Sequence, residues 1–185
     1  MPEEVLDFLR EYHGALGPLV SQFEGTLDQF SGDGIMVFFN DPVPIPNPAE
    51  RAVNIAVAMR DAAGTLTTVW RERGRDLGFG AGIAQGYATL GQIGFSERSG
   101  YTAIGTVCNV AARLCAEAKD GQILLSQRVN VAQGEASQQS SLAHSPSPSR
   151  LWLTTCRSRP PNPLFVLSKG AHRVFGCGRC TFLPG

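Results

Sequence analysis

Gly25-Thr-Leu-Asp-Gln-Phe-Ser-Gly-Asp-Gly-Ile-Met-Val-Phe-Phe39 is the stretch that decides how this chain is read. Two apolar runs, 26–30 and 35–39, flank Ser31-Gly32-Asp33-Gly34, and Asp-Gly between such runs is the strongest short-range signal for a β-hairpin. The turn sets Asp33 at the tip of a rigid ribbon, between glycines that leave room beside its carboxylate. Taken alone, a Gly-Asp-Gly is ordinary turn chemistry.

Outward from the hairpin the periods change. Before it, Val5, Leu9, Tyr12, Leu16, Leu19 and Phe23 recur every three or four residues, which predicts an amphipathic helix over 3–23, broken or kinked at Gly17-Pro18. After it, Pro42, Pro44, Pro46 and Pro48 hold an extended loop. Asn47 is the expected cap and Pro48 the first residue of a long helix striped by Ala52, Ile55, Ala56, Met59, Ala63, Leu66 and Trp70.

Gly78, Gly80 and Gly82 then alternate with Phe79, Ala81 and Ile83. One face of that strand has no side chains, so a helix or another backbone can approach it closely. Residues 87–93 are the expected returning strand. Val107, Val110, Ala111, Leu114 and Ala118 mark another helix ended by Asp120-Gly121, and residues 122–126 a short buried strand.

Past Val131 the periodicity stops: residues 134–163 hold seven serines and five prolines, a composition that predicts disorder. The sequence therefore divides into a domain over 1–131 and a Ser/Pro/Arg-rich tail over 132–185. Of the 185 residues 43% are hydrophobic, enough for one packed domain. The formal net charge of +0 hides nine basic against fifteen acidic residues in 1–120, and seven against one in 121–185. No apolar run approaches the ~20 residues of a membrane span, and the acidic start lacks a signal peptide's basic region. A cytoplasmic chain is expected.

Five cysteines, an odd number, read as reduced thiols. Cys108 and Cys115 read as small hydrophobes on one helix. Cys177 and Cys180 form a lone CxxC whose nearest further zinc ligands are Cys156 and His172, a spacing expected by chance. P-loop, dinucleotide, nucleophile-elbow and kinase strings are absent.

One further segment carries chemistry: Tyr101-Thr-Ala-Ile-Gly-Thr-Val-Cys-Asn-Val-Ala-Ala-Arg-Leu114. At ~100° per residue Asn109 and Arg113 lie one turn apart, opposite the apolar stripe. An amide beside a guanidinium can orient a ribose and neutralise a reacting phosphate, because Arg contacts phosphate bidentately. Standing alone, the pair would be a solvated helix face.

It stands in an ordered series. The 25–34 hairpin, Ala-Val-x-x-Ala-x-Ala-Met-Arg (52–60), Gly-Ile-Ala-Gln-Gly (82–86), Gly-Gln-Ile-Gly (91–94), Tyr-Thr-Ala-Ile-Gly (101–105) and Asn-x-x-x-Arg (109–113) together resemble the catalytic domain of class III nucleotidyl cyclases of the bacterial adenylate/guanylate type. The resemblance spans about residues 3–131. It implies an α/β (α+β) ferredoxin-like domain that works as a homodimer or as a heterodimer with another cyclase domain. The implied chemistry is attack of the ribose 3′-hydroxyl of ATP or GTP on the α-phosphate, with Mg²⁺ or Mn²⁺ in a two-ion site.

Under that resemblance Asp33 is a metal ligand, Asn109 orients the ribose and Arg113 stabilises the transition state, while Gln29 and Thr102 contact the purine. Gln29 replaces a common Lys or Arg, and its amide can both donate and accept. The family's first metal-binding Asp lies on a strand preceding residue 3, so the resemblance implies a domain lacking its first strand and half its metal site. Asp28, on the hairpin strand, and Asp7, on the first helix, are not substitutes. The expected chain is weak or inactive alone. The alternatives are a non-catalytic module that pairs with an intact cyclase, and a decayed gene product. Neither nucleic acid nor a membrane is an expected partner.

Overall fold

A computed structural model describes residues 2–95, 98–139 and 164–170. The elements run α1 (Pro2–Gln22), β1 (Thr26–Ser31), β2 (Gly34–Phe39), α2 (Pro48–Glu72), β3 (Phe79–Gln85), β4 (Thr89–Phe95), β5 (Arg98–Ile104), α3 (Thr106–Glu117), β6 (Gln122–Leu125), α4 (Gln127–Gln139) and β7 (Leu164–Gly170). Five strands form one sheet in the order β1-β2-β7-β3-β6, and β4 pairs with β5 as a separate two-stranded ribbon.

Alternation along the strands divides the core in two. Ile35, Val37 and Phe39 of β2 and Phe79, Ala81 and Ile83 of β3 join Phe8, Tyr12, Leu16 and Val20 of α1, Ile55, Met59 and Trp70 of α2 and Val129 of α4 in the larger cluster. On the other face, Phe38 of β2 and Ala84 of β3 meet Ala103 of β5 and Val107 and Ala111 of α3. Trp70 Nε1 donates to Glu11 Oε2 at 2.8 Å, fixing α2 to α1.

Gly82 sets the height of α3 above the sheet. A Cβ there would lie 2.3 Å from both the Ala111 carbonyl oxygen and the Cys115 nitrogen. Helix backbone thus rests directly on strand backbone, as the alternating glycines implied. Asp120 Oδ1 accepts from Phe79 N–H at 2.9 Å, and Gly121, at φ 72°, donates to the Phe79 carbonyl at 2.7 Å. These bonds turn the chain from α3 into β6, which runs parallel to β3.

Five expectations need correction. The first helix runs through Pro18 without ending. Pro18 deprives the Gly14 carbonyl of its helical donor, but both residues are exposed, so water can reach it, and buried Leu16 and Val20 hold the helix on either side. The buried stripe is also rotated onto Phe8, Tyr12, Leu16 and Val20, with Val5, Leu9, Leu19 and Phe23 flanking it. Asn47 occupies the N-cap position in left-handed geometry, φ 49°, and makes no side-chain cap bond; its carbonyl accepts from Arg51 N–H at 3.1 Å. The strand after β3 does not return beside it: β4 leaves for β5, because both edges of β3 are taken by β6 and β7.

The fifth correction concerns residues beyond 131. Helix α4 crosses that boundary to Gln139, and β7, in a stretch without strand period, lies antiparallel to β2 and to β3. Helix α2 lies over one of its faces and α3 over the other, so it need not show the alternation of a strand covered on one side only. The rest of the expected tail, with Cys156, His172, Cys177 and Cys180, lies outside the described residues. Among the described residues no helix is long and apolar enough to cross a membrane.

Two substitutions test this arrangement. Gly82→Ala must push α3 off β3; overpacking costs ~1–3 kcal/mol, and backbone atoms at 2.3 Å cannot swing aside, so urea unfolding should show a loss at or above that range. Val166→Pro removes a backbone donor from the strand paired with both Val37 and Ile83. Its thermal midpoint should fall well below that of Val166→Ala, which keeps the N–H.

Candidate active site around the hairpin, β5 and α3

The site residues fall into three groups, each set by a different element. The β1–β2 hairpin closes through Gly32-Asp33, with Gly32 at φ 62°. Asp33 is half-buried at this tip. The imidazole of His13 on α1 packs against Phe30 with ring centroids 4.3 Å apart and interacts with the Gly32 backbone. Burial lowers the His13 pKa, while the Gly32 backbone and the Asp33 charge act to raise it. Helix α1 therefore grips the turn that carries Asp33, a role that nothing in the helical period of α1 signals.

Strand β1 contains an irregularity just before that tip. Leu27 pairs with Val37 and Gln29 with Met36, which leaves Asp28 as the extra residue of a bulge. Bulges re-aim side chains, and this one turns Asp28 toward β5, where its carboxylate interacts with the Thr102 hydroxyl and the Ala103 backbone. Neither Asp28 oxygen reaches a fully formed hydrogen bond, although both are buried. Burial pushes the carboxyl above its ordinary range, and the β5 groups only partly oppose this. Gln29 remains exposed on β1.

Thr102 stands opposite Gly91 of β4, and the space where a Gly91 side chain would lie is open. Cys108 of α3 completes the corner. Its Sγ donates to the Ala103 carbonyl at 3.4 Å, and burial followed by the Asp28 charge raises its pKa, so it is a protonated packing thiol. Cys115 is buried, in keeping with its reading as a small hydrophobe. Tyr101 hydrogen-bonds Asp41 and packs near Phe38, tying β5 to the loop after β2.

The third group lies on α3. Val107, Ala111 and Cys115 face inward. Asn109 and Arg113 are exposed one turn apart, as the spacing predicts, whereas Val110, expected in the buried stripe, is 38% exposed. The structure thus gathers Asp28, Thr102, Ala103 and Cys108 at one corner, with Asp33 on the hairpin tip and the Asn109/Arg113 pair on the outer face of α3. A surface cleft lined by Glu4, Asp7, Glu11, Trp70 and Arg73 lies between α1 and α2 and contains none of the expected site residues.

Asp33 could hold one divalent ion. Among the described residues no group of three His, Cys, Asp or Glu side chains could enclose a metal. Among the described residues, further donors for a second ion are not grouped with Asp33.

Comparison with known proteins adds the following. A family model described as the adenylate and guanylate cyclase catalytic domain matches residues 1–144. Adenylate cyclase 1 of Rhizobium meliloti (strain 1021) is 36% identical over 134 residues, covering 71% of this chain and 20% of that protein. Adenylate cyclase of Anabaena cylindrica is 30% identical over 121 residues, covering 61% and 22%. The chain spans about a fifth of the length of these relatives. Among solved structures, the guanylyl cyclase Cya2 superposes with TM-score 0.69 at 28% identity, covering 91% of this chain and 81% of that one. The adenylyl cyclase CyaB from P. aeruginosa gives 0.63 at 29%, covering 89% and 82%.

The buried Asp28 carboxyl generates a stability prediction. Because its folded pKa is raised, the folded state favours the protonated form, and stability falls as pH rises from the unfolded value, ~3.9, through the folded one. Asp28→Asn removes the charge. It should raise the melting temperature at neutral pH by a few degrees, and the gain should vanish as pH falls through the carboxylate range, as scanning calorimetry across pH would show.

Proposed function

The chain belongs to the family of adenylate and guanylate cyclase catalytic domains, and on that premise we propose that it serves the conversion of ATP or GTP to a 3′,5′-cyclic nucleotide and pyrophosphate as one half of a dimer. The observation that carries this reading is the Asn109/Arg113 pair, held outward by a helix whose inner face is locked onto Gly82. A rigid amide and guanidinium one turn apart suit a ribose and the phosphate beside it. In a dimer this outward pair can serve a nucleotide held against the hairpin and β5 of the other protomer.

In this mechanism Asn109 fixes the ribose so that its 3′-oxygen points at the α-phosphate, which makes the reaction a matter of orientation. Arg113 aims its fork at the phosphoryl oxygens as charge develops there and as pyrophosphate leaves. Gln29 and Thr102 receive the purine. Asp33 holds a divalent ion, Mg²⁺ or Mn²⁺, which when bound supplies charge neutralisation for the triphosphate.

A second reading rests on the lack, among the described residues, of a group of three His, Cys, Asp or Glu side chains that could enclose a metal. The chain then acts as a partner module that contributes Asn109 and Arg113 to an intact cyclase. Complementation separates this reading from catalysis by the chain alone. An intact relative whose own arginine at the Arg113 position is replaced by alanine should regain cyclic nucleotide production when mixed with this chain. Arg113→Ala in this chain should abolish most of the rescue, lowering kcat by ~10²–10³ with little change in KM. Rescue that survives Arg113→Ala returns the pair to a solvated helix face. Turnover by this chain alone with Mn²⁺ would instead assign it the whole reaction, and Asp33→Ala should then remove that turnover.

A further inference from the structure

The two residues read as purine contacts stand on strands of different sheets. Gln29 lies on β1, an edge strand of the five-stranded sheet, and Thr102 on β5 of the separate ribbon, and no ladder joins these strands among the described residues. The ribbon rests on the body through apolar contacts: Ala103 is buried with Phe38, Val107 and Ala111, and Leu90 and Tyr101 pack against them. Such contacts are non-directional. They hold the ribbon down without fixing its offset from β1.

A chain of directional bonds supplies that offset. The Tyr101 hydroxyl on β5 donates to Asp41 Oδ1 in the loop after β2. The Asp41 carbonyl oxygen in turn accepts from Thr26 Oγ1 at 2.7 Å, and Thr26 is the first residue of β1. Asn40, at φ 73°, turns the chain out of β2, and its Oδ1 accepts from Ile45 N–H at 3.1 Å, which folds the loop back beside Asp41. The Tyr101 ring lies 5.9 Å from that of Phe38, so ring and hydroxyl are both engaged. The bond to Asp41 pushes the phenol above its ordinary range, which keeps the proton on Tyr101 and leaves Asp41 the acceptor.

We propose that Asp41 is a positioning residue for nucleotide binding: through Tyr101 it holds β5 at a fixed offset from β1 and so sets the gap in which Gln29 and Thr102 receive the purine. This rests on the reading of those two residues as purine contacts. Tyr101 precedes Thr102, and neighbouring residues of a strand point to opposite faces, so a bond made on one face of β5 orients the residue on the other. Asp41 acts through Tyr101 without being placed against the base. Its effect is the same for adenine and guanine, because it sets spacing and leaves donor and acceptor character alone. A gap preorganised in this way does not have to be ordered when the nucleotide arrives.

The test is calorimetric titration of the full chain with α,β-methylene ATP, which binds without being cyclised, in the presence of Mg²⁺. Tyr101→Phe keeps the ring beside Phe38 and removes the hydroxyl, and Asp41→Ala removes the acceptor. Each should weaken binding by about tenfold, on the scale of one hydrogen bond to a charged group, and the double variant should bind no more weakly than either single one. Asp41→Asn keeps an acceptor oxygen and should restore most of the affinity. A second readout separates positioning from loss of structure. In the complementation described above this chain supplies Asn109 and Arg113 while the relative supplies the hairpin and β5, so Tyr101→Phe here should leave the rescue unchanged. Affinity and rescue falling together in Tyr101→Phe, or affinity unchanged in it while Thr102→Val still weakens binding, overturns the role of Asp41 alone. Binding unaltered by Thr102→Val, or no binding by the wild type, overturns the purine-contact reading and the proposal with it.

Discussion

Backbone contact between α3 and β3 at Gly82 is the constraint on which the site depends. Two backbones approach there until no Cβ can stand between them, with Ala111 and Cys115 supplying the opposing atoms. That contact fixes the rotation of α3. Val107, Ala111 and Cys115 turn inward, and Asn109 and Arg113 turn outward as a consequence. Nearby glycines extend the same logic: a Cβ on Gly80 would press on Ala118, and one on Gly86 on Val107. The helix is seated along its length by absent side chains.

The sheet beneath α3 depends on a strand from far along the chain. The β1–β2 hairpin and the β3–β6 pair share no ladder of their own; β7 joins them by pairing antiparallel to β2 on one side and β3 on the other. Core residues from both halves, such as Val37 and Ile83, sit at matching heights because each is in register with Val166. Helices α1 and α2 then cover one face continuously. The hairpin that carries Asp33 and the floor under α3 belong to one sheet for this reason.

Electrostatics around the hairpin run against stability. Asp28 and His13 are half-buried with polar atoms shut off from solvent, and each is shifted toward its uncharged form by desolvation. A core built for stability alone would place apolar residues at both positions. Their retention at the corner where β1, β5 and α3 meet fits a site that gives up some stability for polarity directed at a ligand.

Much of this was legible in the sequence. Gly-Asp-Gly between two apolar runs signalled the hairpin, and Gly32 supplies the positive φ of its two-residue turn. The alternation of Gly80 and Gly82 with Phe79, Ala81 and Ile83 announced a bare strand face, and the four-residue spacing of Asn109 and Arg113 placed them together on a helix. Tertiary structure alone decided the rest. Leu164–Gly170 has no period to betray a strand, since helices cover both of its faces and one-sided alternation is not required. The helix passes Pro18 because packing on both sides outweighs one lost hydrogen bond. The bulge that aims Asp28 at Thr102 arises from the mismatch of β1 against β2, a property of two strands in contact that neither strand carries in its own residues.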